Sequence, residues 1–185
     1  MELGGAQISD IKRRGEWAEI RFIAKAMEYG YRLTRPVGGS PPYDVVVDLG
    51  GQFISVQVKS TIAIRGRRKV LPVDCYSLTM RCGGHRYRLS DFHYVAAYII
   101  PRDLWYIIPF ALVIGRSTLL LRPDDPPDNG YERFREAWHL LGVMPPTIDP
   151  SLPVKYQRYR VRGGQSAKGR LRKTPEKPGD PRFVL

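Results

Sequence analysis

Along residues 9–29 the apolar side chains Trp17, Ile20, Ile23, Ala24 and Met27 recur at three- and four-residue steps, and Gly30 follows where a left-handed cap would end a helix. This spacing predicts one amphipathic helix whose other face carries Lys12, Arg13, Arg14, Arg21 and Lys25. Residues 31–37 read as a short extended piece, and Gly38, Gly39, Ser40, Pro41 and Pro42 as a loop that the prolines keep out of a helix. The period then changes to two. Residues 43–49 and 52–61 are β-branched runs joined by Gly50-Gly51, a dipeptide that tolerates positive φ, and together they predict a β-hairpin.

Further strands are expected at 70–80, 94–100, 104–108 and 118–121. Pro101-Arg102-Asp103 marks the turn between the second and third of these, and Gly83-Gly84 breaks the chain before 87–91. A turn or short helix follows at 109–114, a proline- and aspartate-rich loop at 123–130, and a last helix at 131–141 with Phe134, Trp138 and Leu141 on one side. The expected architecture is mixed α/β, with one domain over 1–142. Residues 143–185 are rich in Pro, Arg and Lys, a composition unable to bury a core, and are expected to form a basic, disordered tail.

Thirty Lys and Arg against eighteen Asp and Glu give a net charge of +12, which attracts phosphate backbones and makes nucleic acid the expected partner. The start of the chain has neither the basic nor the apolar stretch of a signal peptide, and there are only two cysteines, so a reducing cytoplasm is the expected compartment. The most apolar stretch, 94–115, is broken by Pro101, Arg102, Asp103 and Pro109, so no membrane span is expected.

Hairpin geometry makes the charge pattern specific. With Gly50 and Gly51 as the loop, Leu49 pairs with Gln52, and counting back sets Asp44 opposite Gln57. Alternation then puts Asp44, Gln57 and Lys59 on one face, while Val45, Val47, Val56 and Val58 line the other. Phosphodiester hydrolysis requires an activated water, a cation against the developing charge, and a positive group near the nucleophile. Asp44 is a hard carboxylate suited to Mg²⁺, Gln57 adds a neutral amide oxygen, and Lys59 is placed to assist the attacking water. Glu19, on the first helix, is the residue expected to complete the site across the fold, a contact that sequence spacing does not establish.

Four pieces of the chain, Gly15-x-x-x-Glu19, Gly30-Tyr31, Pro42-Tyr43-Asp44 and Gln57-Val58-Lys59, resemble the PD-(D/E)xK nuclease superfamily over roughly residues 9–110. Within it they are most similar to the group I intron-associated endonuclease family, with related arrangements in archaeal Holliday-junction resolvases. The resemblance implies a restriction-endonuclease-like core, a mixed β-sheet flanked by helices. It also implies a DNA endonuclease with Glu19, Asp44, Gln57 and Lys59 as catalytic residues. Glu19, Asp44 and Gln57 would hold Mg²⁺, with Mn²⁺ able to substitute. Glu16 competes for the helix position, but the step from Gly15 favours Glu19. Gln57 departs from the wider pattern, where an acid is commoner, and so bears on metal affinity. Two active sites are the usual requirement for double-strand cutting in this fold, which implies a homodimer or homotetramer.

Other candidates carry less. Asp48 shares the face of Asp44 but adjoins the turn, and Ser60 and Thr61 end a strand, where hydroxyls are ordinarily solvated or capping. Cys75, Cys82, His85 and His93 lack the short paired spacings of structural zinc sites. The aromatics, Trp105, Tyr106 and Trp138 among them, alternate with aliphatic residues as core does. Arg65, Arg67, Arg68 and Lys69, directly after the catalytic strand, are the expected DNA contact. Two rival functions stand beside the nuclease: a DNA-binding protein on the same fold that does not cut, and a small basic adaptor for RNA or ribonucleoprotein. Binding alone needs no acidic residues facing a polyanion, and that favours the nuclease. The DNA target and the biological role, whether homing, repair or defence, are not encoded in the motifs.

Overall fold

Asp10 opens the first helix: in extended conformation, its Oδ1 accepts from the Arg13 backbone N–H at 2.7 Å, an N-cap. Helix α1 runs over Ile11–Glu28, and Gly30 at φ +82° ends it. The computed structural model describes residues 7–38, 41–65, 74–81, 86–126 and 130–145.

The helix buries a different stripe from the expected one. Ala18, Phe22 and Ala26, spaced by four, are the buried positions, whereas Ile20 and Met27 are 58% and 62% exposed. At 100° per residue the two stripes stand on nearly opposite sides of the helix. The two alanines matter because they are small. They bring the helix close enough to the sheet for Phe22 to pack on Trp105 and Trp138, with ring centroids 5.6 Å away in both cases.

Five strands form the main sheet in the order β1-β2-β3-β6-β7. Here β1 is Arg32–Thr34, β2 Val45–Asp48, β3 Phe53–Thr61, β6 Tyr94–Ile99 and β7 Leu104–Pro109. All neighbours are antiparallel except β3 and β6, which are parallel. A second sheet has the order β4-β5-β8, from Ile64–Arg65, Cys75–Thr79 and Thr118–Leu121. All six residues of β6 are buried, as expected of a strand covered on both faces. The second sheet is tied to β3 where Thr61 Oγ1 donates to the Ser77 carbonyl at 2.7 Å.

The hairpin has the predicted register. Val45 pairs with Val56 and Asp48 with Phe53, and the Leu49 N–H reaches the Gln52 carbonyl at 2.8 Å. Gly50 and Gly51 take φ +76° and +112°. Asp48 is engaged in this turn, where its Oδ1 accepts from the Gly50 N–H at 2.7 Å.

Two further expectations are corrected. Arg65, read as the start of a basic loop over 65–69, instead pairs with Cys75 in β4, where Ile64 pairs with Tyr76. Residues 131–141 do not form an α-helix. They form two 3₁₀ turns, Glu132–Phe134 and Trp138–Gly142, with Arg135 extended and Glu136 at φ +49° between them. The sheet edge captures this segment. Arg135 bridges to Tyr106, while the Glu136 carboxylate accepts from the Trp105 backbone N–H at 2.7 Å and from Trp138 Nε1 at 2.8 Å. Phe134, Trp138 and Leu141 are buried, as their spacing indicated. Residues 146–185, most of the predicted tail, lie outside the described residues. Among the described residues no helix is long and apolar enough to cross a membrane.

Candidate active site

The hairpin register carries Asp44, one residue before β2, to a position opposite Gln57, and the Asp44 N–H donates to the Val56 carbonyl at 3.0 Å. Val45, Val47, Ile54 and Val56 on the opposite face are completely buried, so the pair is fixed in place by the core beneath it. Asp44 Oδ2 accepts from the Val58 backbone N–H at 2.7 Å and from Gln57 Nε2 at 2.5 Å. The same amide nitrogen is 3.3 Å from the Val58 carbonyl. The carboxylate, the amide and one backbone carbonyl therefore converge at a single point of the sheet. Gln57 itself is buried, 6% exposed, and no hydrogen bond to its Oε1 occurs among the described residues.

Asp44 is an acid under stress. Burial pushes its carboxyl from the ordinary 3.8 up to about 6, and the Glu19 carboxylate adds to the rise. The Val58 N–H, Lys59 and Arg35 oppose it. Glu19, on the third turn of α1, is likewise raised, first by burial and also by Glu16, against Arg35 and Lys59. Glu19, Asp44, Lys59 and Arg35 thus form one electrostatic neighbourhood, assembled from α1, the hairpin and the chain just after β1. Of the two rival helix acids, Glu19 faces this group, and Glu16 is exposed.

Lys59, on β3 two residues beyond Gln57 and on the same face, holds its Nζ 5.5 Å from the Tyr87 ring centroid. Arg35 Nη2 lies 2.6 Å from Glu19 Oε2. Sequence reasoning missed Arg35, Tyr87 and the Val58 carbonyl. Arg35 is sixteen residues from Glu19 and Tyr87 twenty-eight from Lys59, so no local spacing signals either contact; the carbonyl is invisible because every residue has one. The predicted DNA contacts Arg67, Arg68 and Lys69 lie outside the described residues, and only the backbone of Arg65 is described, in β4. Cys82 and His85 also lie outside them.

The oxygens grouped here are those of two carboxylates, the Gln57 amide and the Val58 carbonyl, with the amide turned so that its nitrogen faces Asp44 and that carbonyl. Mg²⁺ binds through one or two carboxylates while keeping several waters, so the residues present fit it. Burial, with the Glu19 carboxylate, leaves Asp44 raised in spite of Lys59 and Arg35, so a divalent cation beside it would favour its ionised form. No three His, Cys, Asp or Glu side chains come together as a metal group among the described residues; the third oxygen side chain here is the neutral Gln57.

The family model for PD-(D/E)XK endonucleases matches residues 9–141, from the start of α1 through the last 3₁₀ turn. The chain belongs to the PD-(D/E)XK endonuclease family. The match reaches some thirty residues beyond the motif-bearing part of the sequence. A bacterial homing endonuclease, I-Ssp6803I, has a similar solved structure with TM-score 0.58 and 28% identity, covering 73% of this chain and 93% of that one. A Holliday junction resolvase, Hjc of Archaeoglobus fulgidus, is similar over 59% of this chain and 84% of its own, with 21% identity and TM-score 0.35. No curated protein matches the chain. The fold is the expected restriction-endonuclease-like α/β arrangement, a mixed sheet with its helix packed on one face.

Proposed function

We infer that the protein is a DNA endonuclease that hydrolyses phosphodiester bonds with a divalent cation, Mg²⁺ or in its place Mn²⁺, and that Glu19, Asp44, Gln57 and Lys59 do the work. The observation that carries this reading is Asp44. A half-buried carboxylate held by the Gln57 amide and the Val58 N–H beside a second acid, in a chain of net charge +12, opposes polyanion binding unless a cation intervenes. A bound cation would supply Lewis-acid stabilisation of charge on the phosphate.

Glu19 and Asp44 contribute the anionic oxygens, with Gln57 Oε1 and the Val58 carbonyl as neutral ones. The Gln57 amide and the Val58 N–H fix the Asp44 carboxylate through hydrogen bonds at 2.5 and 2.7 Å, so its orientation is set before substrate arrives. Lys59 brings an ammonium to the same face. The Tyr87 ring directs it, and from there it orients the attacking water and neutralises charge on the phosphate in the transition state. DNA is the substrate the charge balance favours, and the basic segment around Arg67, Arg68 and Lys69 is its proposed contact. A homodimer or homotetramer would present the two sites that double-strand cleavage needs, and light scattering of the DNA complex measures this directly.

Supercoiled plasmid and a panel of branched DNAs, incubated with Mg²⁺, Mn²⁺ or EDTA, test the reading. Metal-dependent nicking is expected, falling about a thousandfold or more in Asp44→Ala and in Lys59→Ala. DNA binding without cleavage under every metal would instead favour a non-cutting DNA-binding protein on this fold.

A further inference from the structure

His93 precedes β6 and is absent from the mechanism above, yet the parallel ladder carries it to the face of the site. Val56 pairs with Tyr94, so the preceding step sets His93 beside Ser55. Ser55, Gln57 and Lys59 alternate onto one face of β3. Ser55 is two residues from Gln57, about 7 Å along the strand, a distance on the order of one nucleotide step.

The imidazole is held at both levels. Its backbone N–H donates to the Ser55 carbonyl at 2.9 Å, and its own carbonyl accepts from the Phe110 N–H at 2.9 Å. The ring Nδ1 lies 3.0 Å from the Ser55 backbone nitrogen and 2.9 Å from Ser55 Oγ. A backbone N–H only donates, so Nδ1 is the unprotonated nitrogen and Nε2 carries the hydrogen. Burial also lowers the pKa of the ring, which favours its neutral form. Nε2 makes no hydrogen bond among the described residues, and the residue is half-buried. The fold thus presents a neutral, oriented N–H donor on the face of β3 that carries Gln57 and Lys59.

We propose that His93 is a substrate-positioning residue, whose Nε2–H binds a non-bridging oxygen of the phosphate next to the scissile one, with Ser55 fixing the ring. The assignment rests on the endonuclease reading and adds to it a contact that tells the enzyme where along the strand to cut. Neutrality suits this place: a donor without charge holds a phosphate and does not compete with the cation for Glu19 and Asp44.

The rival role is structural, with the ring merely completing the ladder of β3 through Nδ1. Two substitutions separate the halves of the ring. In His93→Asn the amide oxygen takes the place of Nδ1 and the Nε2 donor is lost; in His93→Gln the amide nitrogen takes the place of Nε2 and the Nδ1 acceptor is lost. Binding of a fluorescent duplex to the full-length protein with Ca²⁺ in place of Mg²⁺, by anisotropy at several salt concentrations, is read beside the melting temperature. His93→Asn is expected to keep the melting temperature and weaken binding about tenfold. Its slope of log Kd against log salt should match wild type, since a neutral donor releases no counterion. His93→Gln is expected to keep most of the affinity with a lower melting temperature. Wild-type affinity in His93→Asn overturns the assignment and leaves the endonuclease intact, as does a salt slope shallower by about one, which would mark a charged ring. Failure of the wild-type protein to bind any duplex overturns both.

Discussion

The two faces of the β2–β3 hairpin are built from neighbouring residues and do opposite things. Toward α1, Val45, Val47, Ile54, Val56 and Val58 are all buried, and none carries a polar side-chain atom. On the opposite face, the same hairpin carries Asp44, Ser55, Gln57 and Lys59, whose polar groups engage one another, His93 and the Tyr87 ring. One face minimises free energy, and the other holds a carboxylate well above its ordinary pKa. The difference teaches that the site is placed by a rigid layer beneath it and is itself not a stabilising layer.

The sharpest test of that division is on the core side. Ile54→Ala should lower stability by roughly 3 kcal/mol, measured by urea unfolding, because it removes buried aliphatic volume that close-packed neighbours refill only in part. Any nuclease activity per folded molecule should persist at low temperature. Loss of activity without loss of stability would mean that the valine layer does not act as a passive support.

Asp44 gives the next largest effect, and it depends on pH. Its folded pKa of about 6 exceeds the ordinary 3.8, so between those values the folded chain holds the proton more firmly than the unfolded one. Stability of the metal-free protein should therefore fall as pH rises from about 4 to about 6, by at most about 3 kcal/mol. Asp44→Asn should flatten that slope. Addition of Mg²⁺ should offset the decrease above pH about 6, where the carboxylate is ionised. A wild-type slope of opposite sign would show that hydrogen bonds to the carboxylate outweigh its burial.

Arg35→Ala should have the smallest effect. The pair with Glu19 is short, but the Arg35 side chain is 49% exposed, and such pairs contribute only about 0.5 kcal/mol. A melting-temperature change within a few degrees is expected. A large drop would mean that Arg35 clamps α1 to the sheet and does not merely balance charge at the site.

Much of this molecule was legible in the chain because its signals are local. Gly50-Gly51 set the hairpin register, the register put Asp44 beside Gln57, and alternation separated the valines from the polar residues. The paired strands β6 and β7 follow equally from their apolar runs and the turn between them. The helix stripe and the 131–141 segment were misread for one shared reason: their conformations are decided by what they pack against. Ile20 and Met27 are more apolar than Ala18 and Ala26, but only small residues allow the approach that Phe22 needs. Residues 131–141 have a helical pattern, yet hydrogen bonds from Trp105 and Trp138 to Glu136 hold them as 3₁₀ turns against β7.

For the site, the sequence by itself determined the residue types and their spacing along one hairpin, since both depend on a two-residue turn and a period of two. Only the tertiary structure brought Glu19 to Asp44, placed Arg35 on Glu19, set Tyr87 beneath Lys59 and aligned His93 with Ser55. Each of these joins elements distant in the chain, and long-range packing and burial, which fix them, leave no periodic trace in a sequence.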